Sequence, residues 1–504
     1  MNCKSDRVVC LVLIIVGLVS FGIYLVSSYN HIGEFGYPVD DAWIHQTYAR
    51  NLADFGEFSF IPGKTSGGST APLWTGLLAV FHLLGSGPFW GTFVVGLILF
   101  VSAAFCFQQL AISLIKSDQM SSVNRSVVFG FGAFFLLEWH MIWAALSGME
   151  IMLFVALFLF VALLLAKGKY YALIGFLSGV IIWVRPDGLT LFGPVMFTII
   201  LSKKRHEILP AITKFLLGWL PVMAGYLAFN FQTAGTLFPN TFYAKQAEYA
   251  VLFNQPLLSR FGNLLFQPFV GAAVLLIPGI IFEVFFAIKN RQWFEVALFL
   301  WAGGYVAIYA LRLPVTYQHG RYMMPVMPVF FLLGLLGTFR GLMAIRVTER
   351  RKKLIQFGVG ASISLLTAGF WWLGMETYRD DVAIIHEEMV ETARWIQMNL
   401  PDDAYIAAHD IGALGYFGDR DIFDLAGLIS PEVIPVIRDE EALIRLIEKS
   451  GAEYLMTFPE WYNTLTLKTD LIYQSEGETV RLHEHANMAV YQYNWTEKDE
   501  PNRE

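Results

Sequence analysis

The stretch "APLWTGLLAVFHLLG", residues 71–85, decides how this chain folds. It is apolar for about 14 residues, whereas a helical crossing of a bilayer takes about 20. As a crossing helix it would turn every later loop to the opposite side of the membrane. As an interfacial or re-entrant helix it leaves them where the first apolar segment put them. The charges of those later loops choose between the two.

The chain has 504 residues, of which 56% are hydrophobic and 15% charged. Its mean hydropathy is +0.52. Soluble proteins carry about 25% charged residues, so this deficit points to a membrane protein. Apolar runs place spans at 8–28, 88–110, 126–146, 150–166, 170–184, 188–202, 209–230, 265–288, 293–311, 324–345 and 354–375. The first run, Val8 to Val26, exceeds the roughly 7–15 residues of a signal-peptide core and lacks a small-x-small cleavage site. It reads as a retained span that also acts as signal anchor.

With a cytoplasmic N-terminus and 71–85 not crossing, alternate loops read KSDQMSSVNR (116–125), KGK (167–169), SKKRHE (202–207), KNRQ (289–292) and RVTERRKK (346–353). Every basic cluster then lies inside, as the positive-inside rule requires. A crossing 71–85 would move all five outside. The sequence therefore predicts a polytopic α-helical protein of the plasma (inner) membrane with about 11 transmembrane helices, N-terminus in and C-terminus out. Residues 1–376 form the membrane module, with a first outer loop at 29–71. A loop that long without regular structure is usually functional.

Residues 377–504 carry 26 acidic and 10 basic side chains, so the preceding part is net basic. The acidic tail argues against nucleic acid as a partner. "HEEMVETARWIQMNL" has helical spacing and stops at Pro401, and "EEALIRLIEKSG" reads as a helix closed by glycine. "AYIAAHD", "DIFDLAGL", "AEYLMTF" and "MAVYQYNW" read as short strands, which together give an extracytoplasmic α/β domain. The three cysteines, Cys3, Cys10 and Cys106, all precede it. No cysteine–histidine cluster suggests a metal, and no cofactor is expected; a divalent metal is possible but not indicated.

The unusual polar residues all emerge at the outer face in this topology. "GYPVDDAWIHQTYARNLADFG" (36–56) holds Asp40, Asp41 and His45, and "FIPGKTSGGSTAPLW" (60–74) holds Lys64. Glu138 and His140 lie in the outer half of span 3, where they pair, cap a helix or serve a site. "SGME" ends at Glu150, "RPDG" starts at Arg185, and "GTLFPNTFYAK" contains Asn240, Tyr243 and Lys245. "RLPVTYQHGRYMMP" contains His319 and Arg321. The cytoplasmic loops show only basic anchors. Singly, these residues have structural readings: Asp40 or Asp41 as a helix cap, "RPDG" as a tight turn, Arg321 as a snorkelling cation. Their gathering at one face favours a site, because ionisable groups at the edge of a bilayer are costly.

Carboxylates among cations, at a lipid-facing site without a nucleotide motif, suit transfer from a lipid phosphate. Cations hold the phosphate leaving group while a carboxylate takes the proton of an attacking hydroxyl. Outside the cytoplasm a lipid-phosphate sugar is the natural activated donor.

"DDAWIHQTYARNLADFGEFSFIPGKTSGGSTAPLWTGLLA" resembles the first periplasmic loop of GT-C-fold glycosyltransferases. The resemblance continues through "SGMEIMLF", "WVRPDGL", "GTLFPNTFYAK", "HGRYMMPV" and "HDIGALGYFGDRDIFDLAGLISPEV". It is strongest to the bacterial arabinofuranosyltransferase-like branch and more distant to protein O-mannosyltransferases. It implies a polyprenyl-phosphate sugar as donor, and a catalytic aspartate at Asp40 or else Asp41. It also implies phosphate contacts from Arg185, Lys245 and Arg321, with His319, Tyr243, Asn240, Glu150, His45 and Lys64 as further substrate-binding candidates. O-mannosyltransferases carry Asp-Glu where this chain has Asp-Asp. The oligosaccharyltransferase motif WWDYG is absent, and "FWWLG" (370–374) is not equivalent to it. A cell-envelope glycan or glycolipid is therefore the expected acceptor, with membrane lipids as the other partner. His409 and Asp410 are candidates for contacting it from the C-terminal domain. The rival expectations are a lipid-linked-sugar flippase, and a polysaccharide polymerase or ligase using lipid diphosphate. Transporters often show repeats and mid-depth polar residues, and this chain shows neither.

Overall fold

The computed structural model describes residues 3–115, 125–462, 464–467, 469–482 and 485–494. The basic loop 116–125 lies, except for Arg125, outside them. Two compact units emerge: residues 1–27, 90–229 and 252–378, and residues 28–89, 230–251 and 379–504.

The first unit is helical. Among the described residues seven helices are long and apolar enough to cross a membrane, or eight if a bent pair is one span. The bent pair, Phe129–Leu137 and Trp139–Leu146, turns through 58° at Glu138. There the Glu138 carboxylate accepts from the Met141 amide at 3.2 Å and from His140 at 2.7 Å. A polar cap has been inserted into the helical ladder, one of the few causes of a sharp kink. The expected spans 150–166, 170–184 and 188–202 correspond to the shorter apolar helices Ile151–Ala166, Tyr171–Val184 and Pro186–Ser202. These fall short of the roughly 20 residues that an untilted crossing needs.

Helices Ile277–Lys289 and Met327–Ala344 pack closely. A Cβ on Gly337 would lie 1.8 Å from the Gly279 carbonyl oxygen. Small residues allow such backbone contact in membranes, where helix association depends on packing rather than on water exclusion. On the same two helices Arg340 pairs with Glu283, and it lies 3.9 Å from Glu295 of the helix Trp293–Arg312; all three are buried. The sequence reading passed over this ion group.

The second unit carries the sheet. Strands β1 (Ser59–Ile61) and β2 (Lys64–Thr65) form a small hairpin. Strands β3 (Tyr405–Ala408), β4 (Asp421–Asp424), β5 (Tyr454–Thr457), β6 (Thr469–Gln474) and β7 (Ala489–Tyr493) form one sheet in the order β4-β3-β5-β7-β6. β3 is parallel to β4 and β5, while β7 is antiparallel to β5 and β6. Parallel neighbours need crossovers. The helix Gly412–Phe417 supplies one, and Glu440–Ser450 lies in the other. Glu440–Ser450 is capped by Asp439, which accepts from the Ala442 amide, and closed by Gly451 at φ +81°. Its Leu443 and Ile447 pack on Leu455, Ala407 and Phe423 of the sheet.

The last long helix, Glu349–Ile384, passes through a π turn at Ile385–Val390 into Glu391–Asn399. In that turn Glu388 is fully buried. It accepts from the Asn487 side chain (2.8 Å), the Met488 amide (2.6 Å) and the Ser475 hydroxyl. A buried carboxylate is tolerated here because it is fully hydrogen-bonded.

Candidate active site

The helix Asp41–Phe55 begins at Asp40 and ends at Gly56, whose φ of +70° suits only glycine well. Asp40 is its first flanking residue, yet its side chain does not cap it. Instead its two carboxylate oxygens accept from the backbone amides of Gly412 and Ala413, both at 2.7 Å. Asp40 thus caps a different helix, Gly412–Phe417. Gly412 is required there, because a Cβ would lie 2.1 Å from the Asp40 carbonyl oxygen. From the same helix as Asp41, Arg50 donates to the carbonyls of Tyr416 (2.7 Å) and Gly415 (3.0 Å). Its guanidinium also lies 4.8 Å from the Tyr416 ring centre. One short helix is therefore held at its positive end by a carboxylate and at its negative end by a cation, the polarity its dipole favours.

Asp41, the next residue, is different. Its side chain is 27% exposed, against 7% for Asp40 as a residue, and it lies 3.4 Å from the Lys245 ammonium. Lys245 sits on the helix Asn240–Glu248. Asn240 fixes that helix by donating from its backbone to Gly67 (3.0 Å) and from its side chain to Leu428 (3.3 Å). Thr241 adds a 2.6 Å bond to the Gly68 carbonyl. One turn after Lys245, Glu248 lies 3.5 Å from His409 Nε2, and Nδ1 of His409 meets the Tyr462 hydroxyl at 3.1 Å.

Burial dominates the electrostatics of this cluster. It pushes Asp40 up to about 8, with the charge of Asp410 adding and the two amide donors opposing. It likewise pushes Asp410 up to about 6, against the pull of His409 and with the charges of Asp41 and Glu248 adding. For His409 burial acts downward, but the hydrogen bond to Glu248 and the charge of Asp410 outweigh it and raise its affinity for a proton. Perturbed groups clustered in this way are a mark of functional sites.

His45 is 3% exposed and bonded to Ser69 at 3.1 Å, a buried packing position. Lys64 is exposed on β2. Tyr243 is 37% exposed on the Lys245 helix. Glu248, Arg50 and Tyr462 escaped the sequence reading, because each acts on a residue more than fifty positions away.

In the helical unit, Arg185 is enclosed. Its guanidinium donates to Asp187 (3.0–3.2 Å), to Glu150 (3.0 Å) and to the Tyr309 hydroxyl (3.1 Å). Tyr305 and Tyr309 both donate to Asp187, at 2.5 and 2.6 Å. Two carboxylates therefore neutralise Arg185. "RPDG" forms the start of a 3₁₀ segment, Pro186–Leu191, with proline at its first position. Arg321 is 3% exposed, packs over the rings of Tyr317 and Tyr322 and donates to the Tyr322 hydroxyl at 3.3 Å. The Tyr322 ring also lies 5.6 Å from the Arg185 guanidinium. Just before Arg321, Gln318 and His319 adopt left-handed conformations, at φ +51° and +58°. Such strain costs about 1–3 kcal/mol per residue and clusters at functional sites. The His319 ring is held between Trp139 and Trp143.

Among the described residues, one group has metal-like spacing: Glu34, His386 and Glu391. Arg394 donates to both oxygens of Glu34 there, at 2.7 and 3.1 Å, so the group is built as an ion-pair cluster.

A domain of unknown function, DUF8728, matches residues 378–496. An uncharacterized calcium-binding protein of Schizosaccharomyces pombe is 28% identical over 76 residues, 15% of this chain. The matched part spans only 36% of that protein's length. Solved structures resemble the chain over nearly its whole length. ArnT from Cupriavidus metallidurans in the apo state has a TM-score of 0.59 at 13% identity, covering 97% of this chain and 98% of that one. ArnT bound to undecaprenyl phosphate gives 0.55 at 13% identity, covering 98% and 99%. The Archaeoglobus fulgidus oligosaccharyltransferase AglB, in complex with an inhibitory peptide and a dolichol-phosphate, gives 0.62 at 11% identity, covering 99% and 75%. The chain is a multi-pass membrane protein with the GT-C fold that ArnT and AglB share.

Proposed function

We propose that the protein is a membrane glycosyltransferase. It moves a sugar from a polyprenyl-phosphate donor to a hydroxyl of a cell-envelope glycan or glycolipid, at the extracytoplasmic face. The observation that carries this reading is the part-exposed Asp41–Lys245 pair beside buried Asp40 and half-buried Asp410, on the scaffold of a protein solved with undecaprenyl phosphate bound.

Asp40 and Asp41 divide the work. The raised proton affinity of Asp40 suits a base, but both its oxygens hold backbone amides and the residue is buried. A base must first reach the proton it takes, so geometry outranks proton affinity. Asp41 therefore accepts the proton of the acceptor hydroxyl, and Asp40 is a positioning residue. The hydroxyl oxygen then bonds to the anomeric carbon. The carbon–oxygen bond to phosphate breaks, and polyprenyl phosphate leaves with the electron pair. Lys245 brings positive charge beside Asp41. Within the helical unit, taken by itself, Arg321 is proposed to contact a lipid phosphate, while Arg185, neutralised by Asp187 and Glu150, keeps its own surroundings in place.

The experiment is turnover of a radiolabelled polyprenyl-phosphate sugar by membranes containing the full chain, run with pentose and hexose donors. Release of free lipid phosphate is the expected result. Lipid that binds without conversion would instead support the flippase.

A further inference from the structure

Trp461 ends the short 3₁₀ turn Pro459–Trp461 that follows β5. It is 46% exposed. Its ring meets Phe458 at 5.0 Å and stands edge-on to His409 at 5.0 Å and 81°. The side chains of His409 and Glu248 keep 16% and 20% of their surface open. Beside them Asp410 has a buried carboxylate oxygen, Oδ2, with no hydrogen-bond partner among the described residues. A buried polar atom without a partner calls for an explanation, and a ligand donor is one.

Three features must be matched at once: a large aromatic surface in water, an open imidazole–carboxylate pair, and an unused acceptor. A purely apolar ligand would leave the carboxylates unpaired. A metal ion would leave the indole unused. A sugar ring offers C–H groups for the indole and hydroxyls that both donate and accept, the mix of apolar contact and few fixed polar groups that ligand sites employ.

We propose that Trp461, His409 and Glu248 form a saccharide subsite of the sheet-bearing unit, which holds the acceptor glycan. That the ligand is the acceptor rests on the transferase reading; that it is a saccharide rests on the residues themselves.

The test is binding of the full-length protein in nanodiscs to an array of furanose and pyranose oligosaccharides, with no donor present. Wild type retains one or more glycans. Trp461→Ala and Glu248→Gln weaken that binding by about tenfold or more, and Trp461→Phe keeps part of it. Thermal unfolding of each variant checks that the exposed substitution leaves the fold intact. An array on which wild type binds nothing, or on which Trp461→Ala binds as wild type does, overturns the subsite. Because no donor is used, a protein that binds glycans through Trp461 yet releases no lipid phosphate keeps the subsite and loses the transferase reading.

Discussion

Two adjacent aspartates have been given opposite environments by one residue of chain. Asp40 faces the amides of Gly412 and Ala413, and Asp41 faces Lys245. The sequence led to an expectation that carboxylates and Lys245 gather at one face, with Lys245 as a phosphate contact; its pairing with Asp41 comes from the structure. The opposite environments of the two aspartates were not legible there, because Asp40 meets its partners 372 and 373 positions along the chain. Arg185 shows the same limit from the other side. As a residue type it fits a phosphate contact, and only the neighbours Asp187 and Glu150 reveal that its charge is already matched. Asp410 yields a pH prediction. Its folded-state value, pushed to about 6 by burial, lies above the ordinary value of 3.8, so the folded protein holds that proton more tightly. This contribution to stability is fully present below about 4 and is lost as pH rises through about 6. Asp410→Asn removes it, so the melting temperature of the variant relative to wild type should climb between pH 4 and 7. Parallel melting curves across that range would show that Asp410 does not titrate in this way.

The helix Gly412–Phe417 is the element that ties the first loop to the sheet, clamped by Asp40 and Arg50. Gly412→Ala places a methyl group against the Asp40 carbonyl, and Arg50→Met leaves the Gly415 and Tyr416 carbonyls without their donor. Each should lower the melting temperature of the detergent-solubilised protein, with about 1–3 kcal/mol lost per unsatisfied group. The Arg50→Met variant should also lose transfer activity, through displaced Asp41 rather than lost chemistry; a change in melting alone would separate the clamp from the site. Glu388 predicts a second effect on stability. Glu388→Ala strands three donors at the π turn, so limited proteolysis should cut the 469–494 region of the variant sooner than that of wild type. Elements with strong local signals were readable in advance. The helix Glu440–Ser450 has its cap and its glycine stop, and β3, β4, β5 and β7 carry compact apolar runs. β6 was not read, since its residues are largely exposed at the sheet edge and a bulge between Leu471 and Tyr473 breaks its alternation. Its strand character comes from pairing with β7, which no local pattern encodes.

At the scale of the whole molecule, apolar runs, which are local in sequence, pointed to a polytopic helical membrane protein, and the GT-C fold was expected from the resemblance carried by an ordered series of motifs. Among the described residues seven or eight helices satisfy the length expected of a crossing; the three shorter ones that match expected spans depend on tilt and on neighbours, which hydropathy alone does not encode. The orientation proposed from loop charge has its own test. In a cysteine-free background, Lys64→Cys should react with an impermeant maleimide on intact cells, and Arg351→Cys only after permeabilisation; the reverse pattern would invert the topology. The central claim is that Asp41 takes the acceptor's proton while Asp40 only positions it. Its most direct measurement is the single-turnover rate of lipid-phosphate release from a radiolabelled polyprenyl-phosphate sugar, compared among wild type, Asp41→Asn and Asp40→Asn at equal folded protein. Asp41→Asn should lose about 10²–10⁴-fold in rate with an unchanged melting temperature, whereas Asp40→Asn should lose melting temperature together with rate. An Asp41→Asn enzyme that releases lipid phosphate at the wild-type rate would contradict the account.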